Sequence, residues 1–267
     1  MKDTRIAAVI SNSFVGKTTT NLEHMERWVA SAAEKKAAIV CFPEMGISGY
    51  YINQGIRQIA ETIPGPSTNY LARLSRKKNI TILAGLAEMD VTEKIFISHV
   101  VIKPDGIGGV YRKTHLGPTE KNFVASGNNL PLFKAAGITF GIQLCYDAHF
   151  PELSTAMALK GADAVFLPHA SPRTPPEQKF QSWMRHLPAR AYDNGLFVIA
   201  CNQCGKNGKG LMFPGVGIVI EPSGEILQSY AGDDEHMIIA DLKSDALNNV
   251  RSHKMKYFFP NRRPEIY

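Results

Sequence analysis

Ala37-Ala38-Ile39-Val40-Cys41-Phe42 is an unbroken apolar run of strand length, closed by Pro43-Glu44. A strand with one wet face alternates apolar and polar residues. A run with no polar member belongs in a sheet covered on both faces, as parallel strands of α/β proteins are. The residues before it agree. Arg5-Ile6-Ala7-Ala8-Val9-Ile10 is short and β-prone, and Leu22, Met25, Trp28, Val29 and Ala32 form the stripe of an amphipathic helix. Thr20 with Glu23 is the candidate capping box of that helix. The opening therefore reads strand, helix, strand.

The alternation returns along the chain. A helix carrying Tyr70, Leu71 and Leu74 leads into a strand from Ile80 to Leu86, and Phe96 to Ile102 turns at Lys103-Pro104-Asp105-Gly106 into Gly109-Val110-Tyr111-Arg112. Later come a strand from Ile138 to Leu144, a helix from Glu152 to Lys160 ending at Gly161, and a strand from Ala164 to Leu167. One helix through Trp183, Leu187 and Ala191 is predicted to stop at Asn194-Gly195 and to lead into Leu196 to Ala200. Val216 to Ile220 and Ile226 to Tyr230 flank a turn at Pro222-Ser223-Gly224, and Met237 to Leu242 is the last strand. This pattern predicts an α/β protein with a mixed, largely parallel sheet system. No linker rich in Gly, Ser or Pro divides it, so one domain over residues 1–267 is expected.

Composition narrows the function classes. At 267 residues and 44% hydrophobic content the chain can bury a core without disulfides or metal, which leaves its four cysteines free for chemistry. The net charge of +6 comes from scattered Lys and Arg rather than from a run, so nucleic acid is not expected as a partner. The apolar stretch after Arg5 is too short for a signal peptide, and no window approaches the roughly 18 apolar residues of a membrane span. Cys41, Cys145, Cys201 and Cys204 then fit a reducing cytoplasm.

In α/β sheets, ligands bind beyond the carboxyl ends of the strands. Glu44, Lys113 and Cys145 each follow a strand of this kind. A carboxylate, an amine and a thiol are what thiol acyl transfer needs. A free thiol is only a few per cent thiolate at neutral pH, so a base must take its proton and a cation must favour the anions that form. Lys113 and a backbone N–H after the nucleophile could then stabilise the oxyanion.

The words around these residues carry more. Phe42-Pro43-Glu44 with Gly49-Tyr50, Tyr111-Arg112-Lys113-Thr114-His115-Leu116, and Cys145-Tyr146-Asp147-Ala148-His149-Phe150-Pro151-Glu152 strongly resemble the three signature segments of the nitrilase (carbon–nitrogen hydrolase) superfamily, in order and in spacing. The resemblance continues through Arg190-Ala191-Tyr192-Asp193-Asn194, Asn202 and Arg263-Pro264-Glu265. It implies a four-layer αββα sandwich with two mixed β-sheets. It also implies a triad with Glu44 as general base, Cys145 as nucleophile and Lys113 as stabiliser of the tetrahedral intermediate. Glu120 matches a second glutamate found in many members, and Asn202 matches a family position that lines the site. Tyr146 and His149, close after Cys145, are further substrate-binding candidates, as are His169 and Arg173, which follow a strand end.

Cys145-Tyr146-Asp147 resembles the amidase and N-carbamoylase branch rather than the Cys-Trp-Glu of true nitrilases. A small-molecule amide or N-carbamoyl amine is thus the expected substrate, with a nitrile as the alternative. His149 stands where many members carry an Arg, so no grip on a substrate carboxylate is implied there. No cofactor is expected. The aromatic tail Tyr257-Phe258-Phe259-Pro260 matches a segment that packs across a subunit interface in the family, so at least a homodimer is implied.

Other readings of the same residues are a zinc or redox site at Cys201-Asn202-Gln203-Cys204, a cysteine–histidine hydrolase using His115, His149 or His169, and a binding protein on an inactive scaffold. The first lacks a second ligand pair, and the other two leave an intact Glu44, Lys113, Glu120 and Cys145 set unexplained.

Overall fold

The computed structural model describes residues 1–266. The chain begins β1 (Thr4–Ile10), α1 (Thr18–Glu34), β2 (Ile39–Cys41), α2 (Pro66–Lys78), β3 (Thr81–Met89), β4 (Ile95–Lys103) and β5 (Gly106–Arg112). It continues with β6 (Phe133–Ala135), β7 (Ile138–Ile142), α3 (Pro151–Leu159), β8 (Ala164–His169), α4 (Pro176–Met184), α5 (Leu187–Tyr192) and β9 (Phe197–Asn202). A small hairpin of β10 (Gly205–Lys206) and β11 (Met212–Phe213) follows, then β12 (Gly215–Ile220), β13 (Ile226–Gly232), β14 (His236–Leu242) and α6 (Ser244–Arg251).

The strands assemble into two six-stranded sheets, ordered β14-β1-β2-β3-β4-β5 and β13-β12-β9-β8-β7-β6. Neighbours β1, β2 and β3 are parallel, as are β7, β8 and β9, while the outer strands pair antiparallel. Both sheets are therefore mixed and follow one plan.

The pleat explains the apolar runs, because successive side chains of a strand face opposite ways. Ala7 and Val9 of β1 share a core with Leu22, Met25 and Val29 of α1 and with Leu71 and Leu74 of α2. Ile6, Ala8 and Ile10 turn instead to a second core that includes Val198 and Ile218 of the other sheet. Each such aliphatic side chain contributes about 1.5–3 kcal/mol on burial, so neither face of the strand tolerates a polar residue. Where the sheets meet, a Cβ at Gly217 would come within 2.7 Å of the Ile10 side chain, and glycine is what lets β12 approach β1. On the second sheet, Met157 of α3 packs over Gly141 of β7. The result is the expected four-layer αββα sandwich.

Some local expectations change. The helix through Trp183, Leu187 and Ala191 is two helices, α4 and α5, interrupted at Arg185-His186 with Pro188 in the first turn of α5. A proline donates no backbone hydrogen bond, so it sits where a new helix starts rather than inside an old one. The capping box at Thr20 and Glu23 does not form, since α1 already begins at Thr18 without a side-chain cap. Asn21 does the local work instead: its amide bonds both main-chain groups of Phe14 and the carbonyl of Ile47, fastening the loop beside the site. Among the described residues no helix is long and apolar enough to cross a membrane.

Candidate active site

The carboxyl ends of β2, β5, β7, β8 and β9 converge where the two sheets meet, and the expected catalytic side chains come together there. Glu44 lies in the turn after β2 and is fully buried. Its Oε1 is 2.8 Å from Lys113 Nζ and its Oε2 accepts the Ala170 N–H at 2.9 Å. Gln203 Nε2 donates to the Glu44 carbonyl at 2.8 Å, so backbone and side chain are both held. Burial pushes the Glu44 carboxyl up to about 7, with Lys113 opposing the rise and Glu120 adding to it. A base of that strength suits proton transfer near neutral pH.

Lys113 sits between two carboxylates, because its Nζ is also 2.8 Å from Glu120 Oε1. Burial works against the ammonium, but Glu44, Cys145 and Glu120 outweigh it and hold its pKa well above the ordinary lysine value. The residue stays charged. Glu120 is buried, accepting from the Tyr50 hydroxyl at 3.0 Å and from the Gly117 N–H at 2.7 Å. It is no surface carboxylate. Tyr50, whose hydroxyl is kept protonated by burial and by Glu120, was visible in the sequence as part of the first signature segment but without a role.

Cys145 follows β7 and opens a short turn with φ of +46°, a left-handed conformation that costs a non-glycine residue about 1–3 kcal/mol. This sharp turn presents the thiol at the sheet edge, half-buried, beside the Glu44 and Lys113 charges. Burial, with Glu44 and Glu120 adding to it, raises the thiol to about 12 against the opposing pull of Lys113 and the Ala170 N–H. At neutral pH the sulfur therefore carries its proton.

Asp147 explains how the strained turn is held. Its Oδ2 accepts the Leu144 N–H at 2.9 Å and the Tyr111 hydroxyl at 2.7 Å. Its Oδ1 accepts the Thr114 hydroxyl at 2.9 Å and the His115 N–H at 2.8 Å. One buried carboxylate thus ties the residue before Cys145 to both sides of Lys113. The word Cys145-Tyr146-Asp147 contained this residue, but only the fold shows what it bonds.

The other expected positions divide. Tyr146 packs edge-on against His149 with ring centroids 5.6 Å apart, and the His149 ring lies 4.7 Å from that of His186, so a cluster of rings follows Cys145 in the chain. His169 is buried against Trp183, its Nδ1 paired with the Leu167 carbonyl at 2.7 Å, and burial lowers its pKa to about 3. Asn202 is fully buried, with Oδ1 accepting from the Ser171 N–H and Nδ2 donating to the carbonyls of Ser171 and Pro214. Both its N–H donors are engaged and its oxygen accepts from Ser171, so it holds the loop after β8 in place. Arg173 is exposed in that loop, its N–H bonded to Met212. None of His115, His149 and His169 bonds to the Cys145 thiol; the three instead pair with Asp147, with neighbouring rings and with a main-chain carbonyl. Cys201 and Cys204 are buried with their sulfurs turned to different carbonyls, those of Cys41 and Ile10.

Comparison with known proteins decides the family. The carbon-nitrogen hydrolase family profile matches residues 5–252. This chain belongs to the carbon-nitrogen hydrolase family. Among relatives, a nitrilase of Pyrococcus abyssi is 29% identical over 98% of each chain. An (R)-stereoselective amidase of Pseudomonas is 31% identical over 88% of this chain and 84% of its own. The structure of Nit3 from Saccharomyces cerevisiae, a nitrilase-superfamily member, superimposes with a TM-score of 0.87 over 100% of this chain and 97% of that one, at 24% identity. The carbon-nitrogen hydrolase is thus an enzyme with the fold its sequence implied, and the residues brought together are those its signature segments contain.

Proposed function

We propose that this carbon-nitrogen hydrolase cleaves a small amide or N-carbamoyl amine through a thioester on Cys145. The observation that carries the reading is the Glu44 carboxylate, raised to about 7 and held between Lys113 Nζ and the Ala170 N–H beside the thiol. Because the thiol is protonated at neutral pH, its proton passes to Glu44 as sulfur attacks the carbonyl carbon. The carbonyl electron pair moves to oxygen, where the Lys113 ammonium and the Tyr146 N–H stabilise it. Collapse of the adduct breaks the C–N bond, and the Glu44 proton leaves with ammonia or the amine. A water then gives its proton to Glu44 and attacks the thioester, which releases the acid, or a carbamate that decomposes, and returns the proton to sulfur.

Glu120 keeps Lys113 aimed, and Asp147 keeps the Cys145 turn aimed. The (R)-stereoselective amidase among the relatives supports an amide substrate. Nitrile hydrolysis is the second reading, favoured by the name of the Pyrococcus abyssi relative. Ammonia release from a panel of amides, N-carbamoyl amines and nitriles separates them. Cys145→Ala and Glu44→Gln are each expected to lower turnover at least about a thousandfold, with no acylated protein visible by intact mass in either. Full turnover by Cys145→Ala would sink the mechanism.

Four free thiols favour a reducing compartment. We also propose that the C-terminal tail faces a second copy of the chain: Met255 is 78% exposed, and Phe258 packs at 5.5 Å on Tyr192, itself 46% exposed. Sedimentation velocity is expected to give a dimer or larger, and a monomer at micromolar concentration would remove this assignment.

A further inference from the structure

Bond cleavage does not use Glu88 or Arg112, yet their ion pair stands directly behind the catalytic lysine. Glu88, near the end of β3, is buried and receives three hydrogen bonds. Arg112 gives two of them as a fork, from Nε at 2.9 Å and Nη2 at 2.5 Å, and the Ser98 hydroxyl of β4 gives the third at 2.5 Å. The guanidinium also lies over the Phe96 ring, 4.1 Å from its centroid. Glu88 faces Phe96 across β3 and β4, and Ser98 faces Arg112 across β4 and β5, so one carboxylate fastens three strands where β5 ends. A forked, charge-assisted pair fixes orientation as well as distance.

Side chains alternate along a strand, so Arg112 and Lys113 point to opposite faces of the sheet. Val100 and Val110, on the Arg112 face, pack with the core under α1 and α2, whereas Tyr111 packs between the sheets. Lys113 reaches inward to Glu44 and Glu120. Its main chain is held on both sides: the Lys113 N–H donates to the Ile97 carbonyl at 2.9 Å, and its carbonyl accepts the Gly127 N–H at 2.8 Å. Gly127 has to be a glycine, since a Cβ there would come within 2.3 Å of the Arg112 carbonyl oxygen. Residues 114–126 therefore leave and return beside the Arg112-Lys113 peptide. That loop carries Glu120, and it carries Thr114 and His115, which bond Asp147. A surface cavity of about 290 Å³, lined by Glu88, Arg112, Gly127 and Asn128, opens onto the ion pair, so small solutes reach it.

We propose that Glu88 and Arg112 are positioning residues of this hydrolase: the pair locks the Arg112-Lys113 peptide from the helix side of the sheet and so sets where Lys113 Nζ stands between Glu44 and Glu120. The inference rests on the amide-hydrolase reading above. Neither residue touches the reacting atoms. Cleavage needs the ammonium fixed where negative charge develops, and a small misplacement lowers the rate of the chemical step without loosening substrate binding. The pair is neutral as a whole, so it acts through geometry and leaves the Glu44 base at its own strength.

The test measures kcat and KM by ammonia release from the amide or N-carbamoyl amine that the wild type turns over fastest, with near-UV circular dichroism as the check on folding. Glu88→Gln and Arg112→Ala are each expected to lower kcat about tenfold or more with KM within about twofold, and to leave the acid limb of kcat/KM near 7. Arg112→Lys keeps the charge but loses the fork, and is expected to stay below the wild type in kcat. Methylguanidinium, added at millimolar concentration to Arg112→Ala, is expected to enter the cavity and raise kcat at least about threefold, whereas methylammonium is not. A residue that only adds stability would change the melting temperature without this split between kcat and KM. Wild-type kcat in both Glu88→Gln and Arg112→Ala, a loss confined to KM, or a deficit that methylguanidinium does not relieve would overturn the proposal and leave the amidase reading intact. If those two variants do not fold, Arg112→Lys decides, and wild-type kcat in it overturns the proposal. A wild type inert toward every amide and N-carbamoyl amine of the panel would defeat the amide-hydrolase reading and this proposal with it.

Discussion

Glu44, Lys113 and Glu120 occupy a region where every charged oxygen and nitrogen has a partner, whereas Cys145, Tyr146 and Lys179 occupy one that solvent enters. The first region comes from the segments after β2 and β5 of one sheet and the second from the turn after β7 of the other and from α4, which follows β8. The difference separates two tasks. Proton transfer and oxyanion stabilisation gain from dipoles and charges fixed before the substrate arrives, since nothing then has to reorganise in the transition state. The nucleophile and the groups that grip the substrate must instead be reachable. Asp147 is the tie between the regions, because it bonds Leu144 on the nucleophile side and Tyr111, Thr114 and His115 on the lysine side.

Breaking the closed region is expected to give the largest effect. Lys113→Met would leave Glu44 and Glu120 buried together without their cation, at a cost of about 3–5 kcal/mol of stability, and would lower kcat/KM by at least about a thousandfold. Urea denaturation beside ammonia release measures both. A variant as stable as the wild type would mean that the carboxylates do not depend on the ammonium.

Cutting the tie comes next. Asp147→Asn removes the charge while keeping the shape, and the expected result is a fall in kcat of about ten- to a hundredfold with KM nearly unchanged, because misplacing a reacting atom by a fraction of an ångström costs that much. An equal rise in KM would show that Asp147 shapes binding rather than the aim of Cys145.

The mildest probe is pH. Glu44 must be ionised to take a proton, and burial has raised it to about 7, so kcat/KM should rise about tenfold per unit as pH climbs toward 7 and level off above it. A limb that already levels off near pH 4.5, the ordinary glutamate value, would show that burial does not govern the base.

Much of this was legible in the chain itself. The continuous runs around Val40 and Val198 required a sheet covered on both faces, and the polar residues after them marked the edge where the site forms. What escaped reading depended on partners distant in sequence. Glu120 and a surface carboxylate look alike until Lys113 and Tyr50 are placed around it. Asn202 looks like a substrate ligand until its amide is found bonded to Ser171 and Pro214. Gln203 and Glu88 had no local signal, since their importance lies in touching Glu44 and Arg112 on other strands and turns. The split between α4 and α5 was missed because the apolar spacing of Trp183, Leu187 and Ala191 carries straight across Arg185-His186 and masks the signal of Pro188.

The sequence by itself determined the layer architecture and the kinds of group at the strand ends, because hydrophobic period and residue chemistry are local properties. Only the tertiary structure decided their working state. Burial at the meeting of two sheets raises the Glu44 carboxyl to about 7 and keeps Cys145 a thiol. Those shifts come from desolvation and from charges far along the chain, which no stretch of sequence contains.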